Sequence, residues 1–181
     1  MQTTPESPLS PVRTALSELL RDLVSRAGVP LDHPPEVHAE AAHFAANPGI
    51  DDPELTDLRH LPFVTIDART SKDLDQALFL ATREDGLISV YYALADAAYY
   101  VRPGSALFAE ALKRGASFYL PGYAVPMLPR ALSEGVVSLN EGVDRRALVF
   151  ETTVARDGSV QGTNVYRARI SSRAKLAFDD P

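Results

Sequence analysis

Thr65-Ile66-Asp67-Ala68-Arg69-Thr70-Ser71-Lys72-Asp73-Leu74-Asp75-Gln76-Ala77-Leu78 sets three aspartates within nine residues, between two apolar stretches. Those stretches, LPFVTI at 61–66 and QALFLA at 76–81, are strand candidates. In an extended chain Asp67 and Asp73 would lie about 20 Å apart. A shared site therefore requires residues 68–72 to loop back, and Arg69-Thr70-Ser71 is polar enough to do so. Asp73 and Asp75, two residues apart, point the same way if the chain is locally extended. Clustered carboxylates repel one another unless a cation neutralises them. Oxygen donors without histidine suit Mg²⁺, with Mn²⁺ as the alternative, rather than zinc. The spacing is not that of a calcium EF-hand loop. On spacing alone, a solvated acidic loop with a helix cap at Asp73 competes with the metal reading.

Outward from this stretch the texture is mixed, and the expected fold class is α+β. The run LISVYYALA (87–95) pairs with 76–81 across Arg83-Glu84-Asp85-Gly86, a hairpin connection. Pro103-Gly104 opens a helix over about 105–114, SFYL (117–120) is a short strand, and a short helical piece falls within 124–142. Residues 147–154 and 160–170 form a second hairpin around Asp157-Gly158. Toward the N-terminus, apolar residues at Val12, Ala15, Leu16, Leu19, Leu20, Leu23, Val24 and Ala27 share one helical face. Ser10 can cap that helix and Gly28 can end it. A single amphipathic helix must dock on something, either its own domain or a partner. A second short helix is expected over 35–46 and a turn-rich acidic connector over 47–60. The chain divides into a helical N-terminal extension and linker (1–57) and a sheet-containing part (58–181).

The chain has 181 residues, a net charge of −6 and no cysteine. Disulfides, thiolate zinc sites and a cysteine nucleophile are excluded. All four histidines (His33, His38, His43, His60) precede residue 61, so chemistry beyond it rests on carboxylates, hydroxyls, Lys/Arg or a bound cofactor. His38 and His43 lie about 140° apart around a helix and do not share a metal-facing side. Residues 1–60 hold 4 Lys/Arg against 10 Asp/Glu, whereas 61–181 hold 14 of each. No apolar run approaches the roughly 18 residues of a membrane helix. The N-terminus lacks the order of a signal peptide, so a cytoplasmic protein without membrane contact is expected.

The acidic stretch resembles the signature of the ribonuclease II/R family, whose RNB catalytic domain carries four clustered aspartates after a T-I-D strand. Further blocks match in order: Leu94-Ala95-Asp96 to Tyr100-Val101-Arg102-Pro103-Gly104-Ser105, then Lys113-Arg114-Gly115 and Ser117-Phe118-Tyr119-Leu120-Pro121. Pro126-Met127-Leu128-Pro129, Leu132-Ser133, Ser138-Leu139-Asn140 and Arg173-Ala174-Lys175-Leu176 follow. The resemblance covers about residues 58–181 and implies the first, mixed sheet-and-helix portion of an RNB domain. It implies Mg²⁺-dependent 3′→5′ hydrolysis of single-stranded RNA to nucleoside 5′-monophosphates. By position, Asp67 and Asp73 would help hold Mg²⁺, with Asp75 and Gln76 completing the set. Asp75 would be the residue most critical for cleavage. Tyr119 matches the family tyrosine that stacks on RNA near its 3′ end, an interaction that tolerates any base. The remainder of the domain and a C-terminal S1-type RNA-binding domain are the implied partners, in a monomer.

Two departures qualify that resemblance. The fourth family aspartate is Gln76 here, which offers a carbonyl oxygen but no charge, so a catalytically weakened or inactive RNA-binding relative is the alternative. Residues 1–60 are too short and too helical for the cold-shock domains that usually precede an RNB domain. Seven cations against two carboxylates in 145–175, with Arg167, Arg169 and Arg173 alternating, could track phosphates or form a solvated hairpin face.

Overall fold

A computed structural model describes residues 11–120 and 123–178. Helix α1 (Pro11–Arg26) and helix α2 (Pro35–Ala46) come first, each with proline at its first helical position. There the missing N–H costs nothing and φ is already helical. The expected cap at Ser10 lies outside the described residues. Gly28 (φ +74) ends α1 in the left-handed conformation. The apolar stripe of α1 does not dock along its length: Leu16, Leu19 and Leu23 are exposed and Val24 is buried. His38 and His43, on α2, are both exposed.

The acidic connector supplies one unexpected element, the two-residue strand β1 (Thr56–Asp57). Strands β2 (Phe63–Asp67), β3 (Gln76–Thr82) and β4 (Ile88–Ala95) follow within a residue or two of expectation, and Gly86 (φ +81) turns the β3–β4 hairpin. Two helices come next, α3 (Ala97–Tyr100) and α4 (Ala106–Arg114). Ser105 caps α4 by accepting the Phe108 N–H at 3.0 Å. Strand β5 (Phe118–Leu120) pairs with a strand not read from the sequence, β6 (Tyr123–Val125). A helical turn over Ala131–Val136, kinked at Gly135 (φ −107, ψ −107), precedes the long strands β7 (Asp144–Val154) and β8 (Val160–Ala177).

β8 runs well past the expected 170, and that extra length closes the sheet. Its first part pairs antiparallel with β7 and its last part pairs parallel with β2, giving a hydrogen-bonded ring β2–β3–β4–β7–β8, with β1 alongside β8. Closure removes the open edges that a flat sheet would present. The core has one contribution from each ring strand: Phe63, Ala77, Ala93, Ala147 with Val149, and Ala168 with Ile170. The four alanines leave little volume between strands, which suits a narrow ring.

A second core lies among the helices. Val37 and Ala41 of α2, Tyr100 of α3, Leu107 of α4, and Leu128, Leu132, Val136 and Val137 pack together. Glu40 fixes α2 on α4: its two carboxylate oxygens accept the Ala106 and Leu107 N–H groups at 3.0 and 2.9 Å, at the positive end of the α4 dipole. Buried Arg114 pairs with Glu110 at 2.8 Å and donates to the Asp32 carbonyl at 2.6 Å.

The cations of β8 have partners within the chain, although Arg167 and Arg173 remain exposed. Arg167 pairs with Asp96, Arg169 with Asp57, Arg173 donates to the Arg59 carbonyl, and Lys175 donates to the Arg69 and Ser71 carbonyls. They fasten the connector and the acidic loop to the sheet. Among the described residues no helix is long and apolar enough to cross a membrane.

Glu40→Ala leaves two first-turn N–H groups of α4 without their carboxylate. Urea denaturation of this chain should show a loss of about 1–2 kcal/mol, with Glu40→Gln losing less.

Candidate functional site

The three aspartates are carried by the end of β2 and by the loop from Ala68 to Asp75. Asp67 is the last residue of β2, Gln76 the first of β3, and Asp73 and Asp75 precede β3 without forming a helix. The helix cap at Asp73 that belonged to the competing reading is therefore absent. The loop does fold back. Ser71 N–H donates to the Ala68 carbonyl at 2.9 Å, and the Ser71 hydroxyl donates to Asp67 Oδ1 at 2.8 Å. One cleft of about 230 Å³ is lined by Thr65, Asp67, Asp73, Leu74, Asp75 and Gln76, together with Ile66 and Phe178. All four residues expected at a metal thus share a single opening.

The electrostatics of the cleft are those of clustered carboxylates. The Asp75 carboxyl holds its proton more tightly than an ordinary aspartate, first because burial strips water from it and then because Asp73 and Asp67 repel its negative form. Asp67 also accepts the Ala68 N–H at 2.6 Å. Asp73 Oδ2 accepts the Tyr119 hydroxyl at 2.5 Å, and that bond raises the Tyr119 pKa above its usual value, with burial adding to it. Tyr119 is 69% exposed on β5, so its ring face is open to solvent beside the acidic cleft.

Two observations test the fit to a hard cation. The donors are carboxylate and amide oxygens, as Mg²⁺ and Mn²⁺ prefer. At the same cleft, Thr65 is 1% exposed and its hydroxyl has no partner among the described residues, a costly arrangement for a buried polar atom without a ligand or water. The donor set fits. Its side chains stand apart, however: among the described residues, no three His, Cys, Asp or Glu side chains are close enough to hold an ion. Asp67 faces Ser71 and Asp73 faces Tyr119 instead.

Several residues of the site carry no sequence signal of their own. Ser138 is fully buried, and its hydroxyl bonds the loop on either side of Asp73, donating to the Lys72 carbonyl at 2.8 Å and accepting from Leu74 N–H at 2.9 Å. Arg145 donates to the Ser138 carbonyl at 2.8 Å and to Gly135 at 3.2 Å, and burial lowers its pKa. Lys175 reaches the far arm of the loop from β8. Ser138 and Lys175 fall in blocks of the resemblance, which marks them without saying what they touch. A larger adjoining cleft, about 460 Å³, runs from Thr70, Ser71, Lys72 and Asp73 past Ser117 and Tyr119 to Arg130 and Ser133.

Known proteins resemble this chain over most of its length. The RNB domain family matches residues 55–180. Ribonuclease R of Vibrio parahaemolyticus is 46% identical over 122 residues, 67% of this chain and 15% of the relative. Exoribonuclease 2 of Proteus mirabilis is 40% identical over 131 residues, 72% of this chain and 20% of the relative. The structure of Mycoplasma genitalium RNase R in complex with ribose-methylated single-stranded RNA superimposes with a TM-score of 0.81 at 32% identity, over 89% of this chain and 25% of that one. The chain therefore spans about a fifth of the length of these curated relatives. With the acidic loop, the closed sheet and the matched blocks all in place, the chain belongs to the RNB domain family.

Proposed function

We propose that this chain forms the acidic, metal-holding part of an exoribonuclease that removes nucleoside 5′-monophosphates from the 3′ end of single-stranded RNA. The observation that carries the reading is the convergence of Asp67, Asp73, Asp75 and Gln76 on one cleft. Mg²⁺, or Mn²⁺ in its place, supplies activation of water and neutralisation of charge on the phosphate and leaving oxygen. Asp67, Asp73 and Asp75 are the residues to hold it, and Gln76 contributes an uncharged oxygen. Asp75, whose burial and acidic neighbours raise its proton affinity, is the residue on which cleavage depends most. Tyr119 presents an exposed ring beside Asp73, suited to stacking on a base near the 3′ end. The adjoining hydroxyl-lined cleft offers the chain a polar path away from that ring.

The RNA grip, the remaining phosphate ligands and an S1-type domain are assigned to partners in the full-length, monomeric protein. The arginines of β8 already hold Asp96, Asp57 and the Arg59 carbonyl, so any grip on phosphate there competes with those contacts.

A second reading rests on Gln76. An amide in place of a fourth carboxylate leaves the site one charge short, which weakens Mg²⁺ binding and favours an RNA-binding relative with little or no turnover.

The full-length protein incubated with 3′-labelled oligo(A) and Mg²⁺ should release labelled 5′-monophosphate, and Asp75→Asn should abolish that release. Metal-independent RNA binding without release would establish the second reading instead. Gln76→Asp should lower the half-saturating Mg²⁺ concentration; an unchanged value would place Gln76 outside the metal's reach. The 181-residue chain alone should be inactive or nearly so, and robust degradation by it would overturn the assignment of essential groups to the rest of the protein.

A further inference from the structure

A loop has no ladder of its own, so each of its backbone polar groups must find a partner elsewhere. In the acidic loop those partners come from separate parts of the chain. Lys175 Nζ takes the Arg69 and Ser71 carbonyls at 2.8 and 2.5 Å. Ser138 Oγ takes the Lys72 carbonyl and the Leu74 N–H at 2.8 and 2.9 Å. Leu139 N–H donates to the Leu74 carbonyl and Ala95 N–H to the Asp75 carbonyl, each at 2.9 Å.

Ser138 is distinctive among these. The Lys72 carbonyl belongs to the peptide before Asp73, and the Leu74 N–H belongs to the peptide after it. One hydroxyl, as donor and acceptor together, holds both peptide planes that flank the Asp73 α-carbon. Fixing two successive planes fixes the backbone dihedrals between them, and with them the direction in which the side chain leaves. The hydroxyl is itself anchored: Ser138 is 0% exposed, and Arg145 grips its carbonyl and that of Gly135. By contrast, the Asp73 carboxylate is held by the hydroxyl of a largely exposed tyrosine.

We propose that Ser138 is a positioning residue for the acidic cleft, fixing through the two peptides around Asp73 the backbone from which that carboxylate enters the cleft it shares with Asp67 and Asp75. The proposal rests on the metal reading of the cleft given above. Ser138→Ala leaves a carbonyl and an N–H unpaired beside the buried Leu74, and the loop must move to satisfy them. Coordinating carboxylates tolerate little displacement, so the loss falls on metal affinity rather than on RNA binding.

The test is Mn²⁺ affinity of the full-length protein, read by electron paramagnetic resonance, with RNA turnover measured in parallel. Ser138→Ala should weaken Mn²⁺ binding about tenfold at temperatures where thermal melts show it folded, and lower kcat with the KM for RNA unchanged. Leu107→Ala, in the helical core, serves as the control for instability and should lower Tm while keeping the Mn²⁺ affinity. Wild-type affinity in Ser138→Ala, or an equal loss in Leu107→Ala, would overturn the proposal. Should Ser138→Ala fail to fold, Ser138→Cys decides by the same comparison, with weakened Mn²⁺ binding expected and wild-type affinity overturning. A wild-type protein that binds Mn²⁺ but releases no nucleotide overturns the nuclease reading alone, and the Mn²⁺ comparison still decides the role of Ser138. A wild-type protein that binds no Mn²⁺ overturns the metal reading and this proposal with it.

Discussion

The two-sided pairing of β8 is the constraint on which the rest of the molecule depends. One edge bonds β7 and the other bonds β1 and β2, so a single strand closes the ring. The parallel register sets Asp67 opposite Ala177 and Thr65 opposite Lys175. That register fixes both where the acidic stretch leaves the sheet and where Lys175 can reach back to hold its loop. β1 joins the same strand, and Arg169 and Arg59 then tie Asp57 to the sheet, holding the Asp57 carboxyl well below the usual carboxylate range. The connector is thereby a working part of the sheet's margin rather than a slack link.

The arginines of β8 show why charge patterning in a strand is ambiguous. Alternation across 167–173 says that the side chains share a face. It does not say what stands opposite that face. In the folded chain the opposing groups are Asp96, Asp57 and the backbone of the acidic connector. Part of the excess negative charge before residue 61 meets part of the cationic stretch near the end, Asp52 at Arg146 and Asp51 and Asp57 at Arg169. Each stretch, read alone, suggests a surface looking for an external partner.

Local signals account for what was legible in the sequence. Alternating apolar residues and Asp-Gly turns give β3, β4 and β7; Pro103-Gly104 marks the helix at 105–114; and the acidic run stands out between two apolar stretches. What escaped is non-local. The extension of β8 to Ala177 depends on pairing with β2, far earlier in the chain, and β6 exists because β5 lies beside it. Ser138, Lys175 and Thr65 belong to the site through hydrogen bonds or burial that no window of sequence contains. The exposed leucines of α1 make the complementary point: an amphipathic period predicts an apolar face, not the surface that meets it.

The acidic cleft balances two opposing demands. A site able to hold a divalent cation must keep like charges near one another, and doing so without the cation is unfavourable. The chain meets that cost in two ways visible in the structure. Neutral donors take part of the charge, Ser71 at Asp67 and Tyr119 at Asp73, while the repulsion at Asp75 shows as a raised proton affinity. The backbone of the loop is meanwhile fastened by Lys175, Ser138, Leu139 and Ala95, so the repulsion cannot be relieved by the whole loop drifting open. Gln76 belongs to the same balance: an amide in the lining of the cleft adds an oxygen without adding to the repulsion. The fastening of the loop backbone and the hydroxyl partners of its side chains are thus complementary, the first fixing where the carboxylates start and the second satisfying Asp67 and Asp73.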